Sequence, residues 1–395
     1  WPSAARCVHA PPHGRRPRML DATPLLLMAL FCFFTALVFA LYGTPVAMRA
    51  ALRFGIVDAP DGALKRHRAP VPYLGGLAVY VSFILTMALA FDFDRRVLGL
   101  LLAGTILVLL GLIDDFGVLG VRAKFLGQGF ATLVLIKCDV AIHIAVLPDW
   151  VNLALTTAWL VGMTNAFNII DIMDGLASGV ALIGCAFLLV VALINGQEPI
   201  VLMTATLMGS LFGFLVYNVH PAKVFMGDTG SLFIGMMLGA LAMIGKYDRI
   251  NGIGYLSPLL ILAVPLFDTL YVMTLRLIKG RNPFMGSPDH FALRLRRLGL
   301  SVPAVVGLTW AGGAALGGLA IFNLYLNETL SAFLVAGVGA TLVMFGAALA
   351  RIPMEAPARL AEPDQRRAAG ADLIAAGEQN AVESARDRLV AWRRR

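Results

Sequence analysis

Gly111-Leu-Ile-Asp-Asp-Phe-Gly117, Asn168-Ile-Ile-Asp-Ile-Met-Asp-Gly175 and Phe225-Met-Gly-Asp-Thr-Gly-Ser231 each adjoin a long apolar stretch. Carboxylates are costly beside hydrocarbon, so several placed there mark a metal, an ion path or chemistry. The chain around them has 395 residues, 59% hydrophobic and 14% charged, with a mean hydropathy of +0.80. That composition excludes an ordinary soluble domain. The fold class expected is an all-α polytopic membrane protein.

With ~20 apolar residues needed per crossing, about eleven spanning helices are read near 23–45, 73–91, 97–113, 125–146, 150–167, 177–194, 200–218, 231–246, 256–277, 302–323 and 330–350. Lys137 and Asp139 interrupt the fourth, which either spans or stops at Ile136 with an extended piece, Cys138 to Leu147, behind it. No internal repeat is evident, which weighs against a transporter of inverted halves.

Parity places all three acidic segments on one face. Loops after odd-numbered helices, 46–72, 114–124, 168–176, 219–230 and 278–301, hold Arg53, Lys65, Arg66, Arg68, Arg122, Lys124, Lys223, Lys279, Arg281, Arg294, Arg296 and Arg297. Loops after even-numbered helices hold little beyond Arg95, Arg96, Lys246 and Arg249. The positive-inside rule puts the odd loops and the C-terminus in the cytoplasm and the N-terminus outside. Arg15, Arg16 and Arg18 oppose this unless Met19 is the true start. The division expected is therefore a leader at 1–18, a polytopic domain at 19–351 and a charged cytoplasmic tail at 352–395. The net charge of +8 lies in loops and termini, a topology signal rather than a nucleic-acid surface. Cys7, Cys32, Cys138 and Cys185 share no short spacing and form neither a disulfide framework nor a metal site.

Clustered Asp, flanking Lys and Arg, and glycine-rich turns at a membrane face suit phosphoryl transfer, which needs positioning and a cation to neutralise phosphate oxygens. Oxygen ligands favour Mg²⁺ or Mn²⁺. Gly227 to Ser231 opens the eighth helix, where free backbone N–H groups and Ser231 are expected to hold a phosphate oxygen while Asp228 holds metal. Asp171 and Asp174, spaced i, i+3, would point the same way on a helical turn. Asp268 lies inside an apolar run, so it is a functional candidate by default.

These residues resemble the polyprenyl-phosphate N-acetylhexosamine-1-phosphate transferase family, of the glycosyltransferase family 4 type. The likeness runs from about Phe54 to Gly299 and includes Lys65-Arg66-His67, Pro72 to Gly76, Asp114 to Gly117, Asn165 to Asn168, Asp171, Asp174 to Ala177, Asn218, Pro221-Ala222, Val224 to Ser231 and Pro265 to Asp268. It implies transfer of an N-acetyl sugar 1-phosphate from a UDP-sugar to a polyprenyl phosphate, with release of UMP, in a bacterial inner membrane. It implies Mg²⁺, with Mn²⁺ as substitute, held by Asp228 and Asp115. The catalytic residues it implies are Asp114, Asp115, Asp171, Asp174, Asp228 and His290. Substrate contacts fall to Lys65, His67, Asn168, Asn218, Ser231, Asp268 and Arg294. Partners are the UDP-sugar, the lipid phosphate and the membrane, and a homodimer is allowed.

Two departures stand out. Ile172 follows Asp171 where the family has glycine, and of a histidine-rich cluster only His290 is present, with Ala292 and Leu293 in the other places. Arg294, Arg296 and Arg297 are expected to supply the missing positive charge. Two rivals remain: a cation-coupled transporter, whose carboxylates belong near mid-membrane, and an inactive scaffold of the same fold.

Overall fold

The computed structural model describes residues 19–58, 71–90, 94–247, 252, 254–283 and 286–354, except the side chains of 19–22. Lys65, His67, the expected leader and nearly all of the expected tail lie outside these residues. Thirteen α-helices are described: α1 (Met19–Phe54), α2 (Gly75–Ala90), α3 (Arg95–Asp115), α4 (Val121–Lys137), α5 (Asp149–Ile170), α6 (Leu176–Ile194), α7 (Glu198–Asn218), α8 (Gly227–Ile244), α9 (Ser257–Ile261), α10 (Ala263–Ile278), α11 (Phe291–Arg297), α12 (Val302–Asn323) and α13 (Glu328–Ala350). A two-residue antiparallel ladder, which the all-helical expectation did not include, pairs Val57 with Pro72 and Asp58 with Val71.

This is a multi-pass membrane protein. Among the described residues, eight helices are long and apolar enough to cross a bilayer, or nine with the bent pair α9–α10 counted as one span. The expected eleven is thus not reached by length and composition. α2 has 16 residues and α4 has 17, or roughly 25 Å at 1.5 Å per residue, against a hydrocarbon core of ~30 Å. The fourth segment takes its shorter form: α4 stops at Lys137 and 138–148 run on without helix. The ninth segment, expected as one helix, is bent by 71° between its two halves. Pro265 has no N–H and crowds the carbonyl four residues back, at Ile261, where α9 ends.

α8 occupies the middle, packed on α3, α5 and α2, while α1 lies along α7 and α2. Nearly every side chain of α8 is buried, whereas α13 buries only Ser331, Gly346 and Leu349. A lipid-exposed apolar surface explains why Leu, Phe and Val side chains lie outside on α1 and α13. The ends of α3, α5 and α7 and the starts of α4, α6 and α8 meet at one end of the bundle, and the acidic segments meet with them.

Candidate functional site

The start of α8 is held from two sides. Phe225 N–H donates to Pro72 O, while Gly75 and Gly76 N–H donate to Phe225 and Met226 O at 3.1 and 2.9 Å. The Pro72 to Gly76 motif therefore straps the 225–227 loop against α2. From the other side, Asp115 caps the helix. Its Oδ1 accepts from Asp228 N–H at 2.7 Å, and its Oδ2 accepts from Thr229 N–H at 3.1 Å and Thr229 Oγ1 at 2.6 Å. Gly227 sits at φ +70°, and a Cβ there would lie 2.7 Å from Asp115 Oδ2. Gly111 lets α3 approach closely enough for this, since its Cβ would lie 2.5 Å from the Asp228 carbonyl.

This cap corrects one expectation. The Asp228 and Thr229 N–H groups are not free for a phosphate, because a carboxylate from the same chain already takes them. Ser231 is likewise occupied and buried: its Oγ donates to Gly227 O at 3.1 Å and accepts from Asn168 Nδ2 at 3.0 Å. Its part is to brace Asn168.

Asp228 is presented at the rim of the site. Its Oδ1 accepts from Asn168 Nδ2 at 2.7 Å, and its Oδ2 pairs with Lys124 Nζ at 2.5 Å. Lys124 also pairs with Asp114 at 2.7 Å and donates to Asn168 Oδ1 at 3.1 Å. In the sequence Lys124 stands only among the topology residues. A signal was available, since Arg122 and Lys124 stand in the first turn of α4 with no acidic residue beside them, against the helix dipole. A cation placed against that field needs another reason, and for Lys124 it is the carboxylate pair across the gap.

Asp171 and Asp174 do not share a helical turn. α5 ends at Ile170 and α6 begins at Leu176, so a tight turn carries both, with Gly175 at φ +74°. Burial, followed by the charges of Asp228, Asp115 and Asp174, pushes Asp171 up to about 7. Asp174 Oδ2 pairs with His220 Nδ1 at 2.7 Å and accepts from Ala222 N–H at 3.1 Å. His220 was missed in the sequence, where nothing but its place beside Pro221-Ala222 distinguishes it. Asn218 ties the two turns together: its Oδ1 accepts from Gly175 N–H and Ser178 Oγ, and its Nδ2 donates to Val224 O.

A cleft of about 780 Å³ opens over this cluster. Its walls include Tyr73, Asp115, Asn168, Asp171, Asp174, Asn218, His220, Asp228, Arg296 and Pro303. Asp268 and His290 are not among them. They form a buried pair with Asp268 Oδ2 and His290 Nδ1 2.7 Å apart, and Asp268 Oδ1 also accepts Phe291 N–H at the start of α11. Asp268 thus orients His290, leaving the opposite ring nitrogen, Nε2, for other partners.

Arg294 also differs from expectation. It is 2% exposed, pairs with Asp289 at 2.7 Å, and donates to Leu349 O at the end of α13. Its guanidinium joins α11 to α13, and the arginine of α11 on the cleft wall is Arg296. Asp289 is the hub beneath. Burial alone would raise its carboxyl, but hydrogen bonds from Lys279 and Ser287 and the charges of Lys279 and Arg294 outweigh it and hold the group below its usual range.

Among the described residues, no three His, Cys, Asp or Glu side chains converge closely enough to form a metal cage. Asp114, Asp228 and the Asn168 amide oxygen do converge on one cation, the Lys124 ammonium. They are hard oxygen donors of the kind Mg²⁺ and Mn²⁺ take, so the residues present fit such an ion.

Comparison with known proteins agrees with this geometry. Residues 97–246, which span α3 to α8, match the family described as Glycosyl transferase family 4. The probable undecaprenyl-phosphate N-acetylglucosaminyl 1-phosphate transferase of Bacillus subtilis is 34% identical over 294 residues, covering 72% of this chain and 81% of the relative. The decaprenyl-phosphate N-acetylglucosaminephosphotransferase of Mycolicibacterium smegmatis is 32% identical over 323 residues, 72% of this chain and 79% of the relative. The phospho-N-acetylmuramoyl-pentapeptide-transferase of Carboxydothermus hydrogenoformans is 33% identical over 276 residues, 62% and 82% of the two chains. With its acidic turns meeting at one end of a helical membrane bundle, the chain belongs to glycosyl transferase family 4.

Proposed function

We propose that this protein transfers N-acetylglucosamine 1-phosphate from UDP-N-acetylglucosamine to a polyprenyl phosphate at the cytoplasmic face of the membrane. An oxygen of the lipid phosphate attacks the phosphorus that carries the sugar. The bridging P–O bond breaks and UMP leaves with its electron pair, giving the polyprenyl pyrophosphoryl sugar without any further reactant. The sugar and lipid come from the names of the relatives. The observation that carries the reading is the meeting of Asp114, Lys124, Asn168 and Asp228 beside a cleft that also holds Asp171, Asp174 and Arg296.

The obstacle in this reaction is charge: two anionic phosphates must approach in line. Mg²⁺, or Mn²⁺ in its place, would be held by Asp228 with Asn168 and Asp114, and would neutralise phosphate oxygens as the transition state forms. Asp115 acts by position, since its cap aims Asp228. Lys124 and Arg296, with Lys65, offset pyrophosphate charge. Asp171, raised towards neutrality by burial, and Asp174 with His220 line the nucleotide-sugar side of the cleft. A phosphate monoester is already largely ionised at neutral pH, so Asp114 is needed less as a base than as an electrostatic partner of Lys124.

Orientation follows from the distribution of charge. The cleft end carries Arg53, Arg122, Lys124, Lys223, Lys279, Arg281, Arg296, Arg297 and Arg351, while the other end carries Arg95, Arg96, Lys137 and Lys246. The excess supports a cytoplasmic cleft, where soluble UDP-sugars are found.

The direct test uses purified protein in detergent with polyprenyl phosphate and radiolabelled UDP-N-acetylglucosamine. UMP release that needs both substrates, stops with a chelator and returns with Mg²⁺ is the expected result. Release of UMP without lipid phosphate, or none under any metal, defeats the proposal.

A further inference from the structure

Lys124 sits where a metal ion is expected. Its nitrogen has three oxygen neighbours, Asp228 Oδ2 at 2.5 Å, Asp114 Oδ2 at 2.7 Å and Asn168 Oδ1 at 3.1 Å. The Lys124 side chain is only 17% exposed and that of Asp114 only 14%. This is the coordination a cation seat offers, taken up by an ammonium tethered to the first turn of α4. Two carboxylates facing each other here would repel strongly without a counter-charge, and the ammonium supplies it.

An ion and the ammonium cannot both fill this seat. Three ligands drawn to one point at 2.5–3.1 Å leave no room for a second cation among them, and two positive centres at such a distance repel. We propose that Lys124 is a built-in competitor of the divalent cation: it fills the seat between Asp114, Asp228 and Asn168 in the metal-free protein and is released when the metal enters. Its tether keeps the freed ammonium near the cleft, where it is available to a phosphate. The device keeps the carboxylates ordered before metal arrives and lowers metal affinity until the exchange occurs. The inference rests on the metal seat assigned above.

Competition predicts the opposite of a supporting role. A lysine that merely held Asp228 and Asp114 in place would, once removed, weaken metal binding. A competitor, once removed, strengthens it. The interaction lost on exchange is a set of charge-assisted hydrogen bonds, so the gain is roughly ten-fold or more in affinity.

The experiment measures Mn²⁺ affinity of the intact, substrate-free protein in detergent, from the free-ion paramagnetic resonance signal. Lys124→Gln is expected to bind Mn²⁺ about ten-fold more tightly than the wild type, although its transferase activity is lost. Affinity that is unchanged or weaker overturns the proposal. Should Lys124→Gln fail to fold, the wild-type protein still gives an answer. Acetylation of Lys124 by an amine reagent, followed by peptide mass spectrometry, is expected to speed up several-fold when Mg²⁺ is added. No change, or slowing, overturns the proposal. Asp228→Asn in the same titration tests the seat itself. If that variant binds Mn²⁺ as the wild type does, the metal assignment has failed, independently of the outcome at Lys124.

Discussion

Replacing Asp115 with Asn separates a helix cap from a metal ligand. In the structure Oδ1 takes one donor and Oδ2 takes two, all from the first turn of α8. Asparagine keeps one oxygen, which Asp228 N–H can retain. Its amide group then faces Thr229, whose Oγ1 can rotate to accept from it, but whose N–H is left without a partner. An orphaned buried N–H costs about 1–3 kcal/mol, and the lost attraction between a carboxylate and a helix N-terminus about 0.3–1 kcal/mol. The sum, about 1–4 kcal/mol, loosens the turn that carries Asp228. A misplacement of ~1 Å at a reacting centre costs on the order of a hundred-fold in rate. Asp115→Asn should therefore lower the melting temperature in detergent by several degrees and cut turnover about a hundred-fold, while Mn²⁺ affinity falls far less than in Asp228→Asn. Thermal melting, single-turnover UMP release and Mn²⁺ titration on one preparation check all three. Wild-type stability combined with loss of Mn²⁺ binding equal to that of Asp228→Asn would refute the capping argument and make Asp115 a ligand.

The two arginines of α11 should part company. Arg296→Ala is expected to raise the KM for the UDP-sugar up to about ten-fold with little change in stability, whereas Arg294→Ala should destabilise the protein and leave that KM near wild type; KM values and melting curves decide. For orientation, a lone cysteine at Arg281 should be labelled only from the cytoplasmic side and one at Asn327 only from outside, as read with an impermeant maleimide on intact cells and inverted vesicles. Asp289 gives a pH dependence of known sign. Its folded carboxyl is held below the usual value, so its contribution is present above the unfolded value of about 3.9 and fades as pH falls through the lowered folded one. Asp289→Asn should thus be less stable than wild type at neutral pH, with the gap narrowing in acid, as melting curves across pH will show.

What the sequence determined by itself was the family, the membrane class and the grouping of the acidic segments at one end of the bundle. Membrane composition, apolar segments and basic loops are local properties, read without knowing what touches what. The carboxylates of Asp114, Asp171, Asp174 and Asp228 stand out because charge beside hydrocarbon has few uses. Only the tertiary structure decided what each side chain does, because that depends on partners far away in the chain. Asp115 became a cap because Thr229 lies 114 positions on and within 3.1 Å. Lys124 looked like a topology residue until α4 folded back and set it between Asp114 and Asp228. Arg294, charged and beside a histidine motif, was turned inward by Asp289 and the end of α13. Length and composition mark eight or nine of the eleven expected segments as spans, for a related reason. α2 and α4 are shorter than a bilayer, and Pro265 splits what hydropathy alone reads as one segment. Hydropathy measures the cost of leaving water, a sum over residues, whereas a hydrogen bond or ion pair depends on direction and distance, which only the packed helices supply.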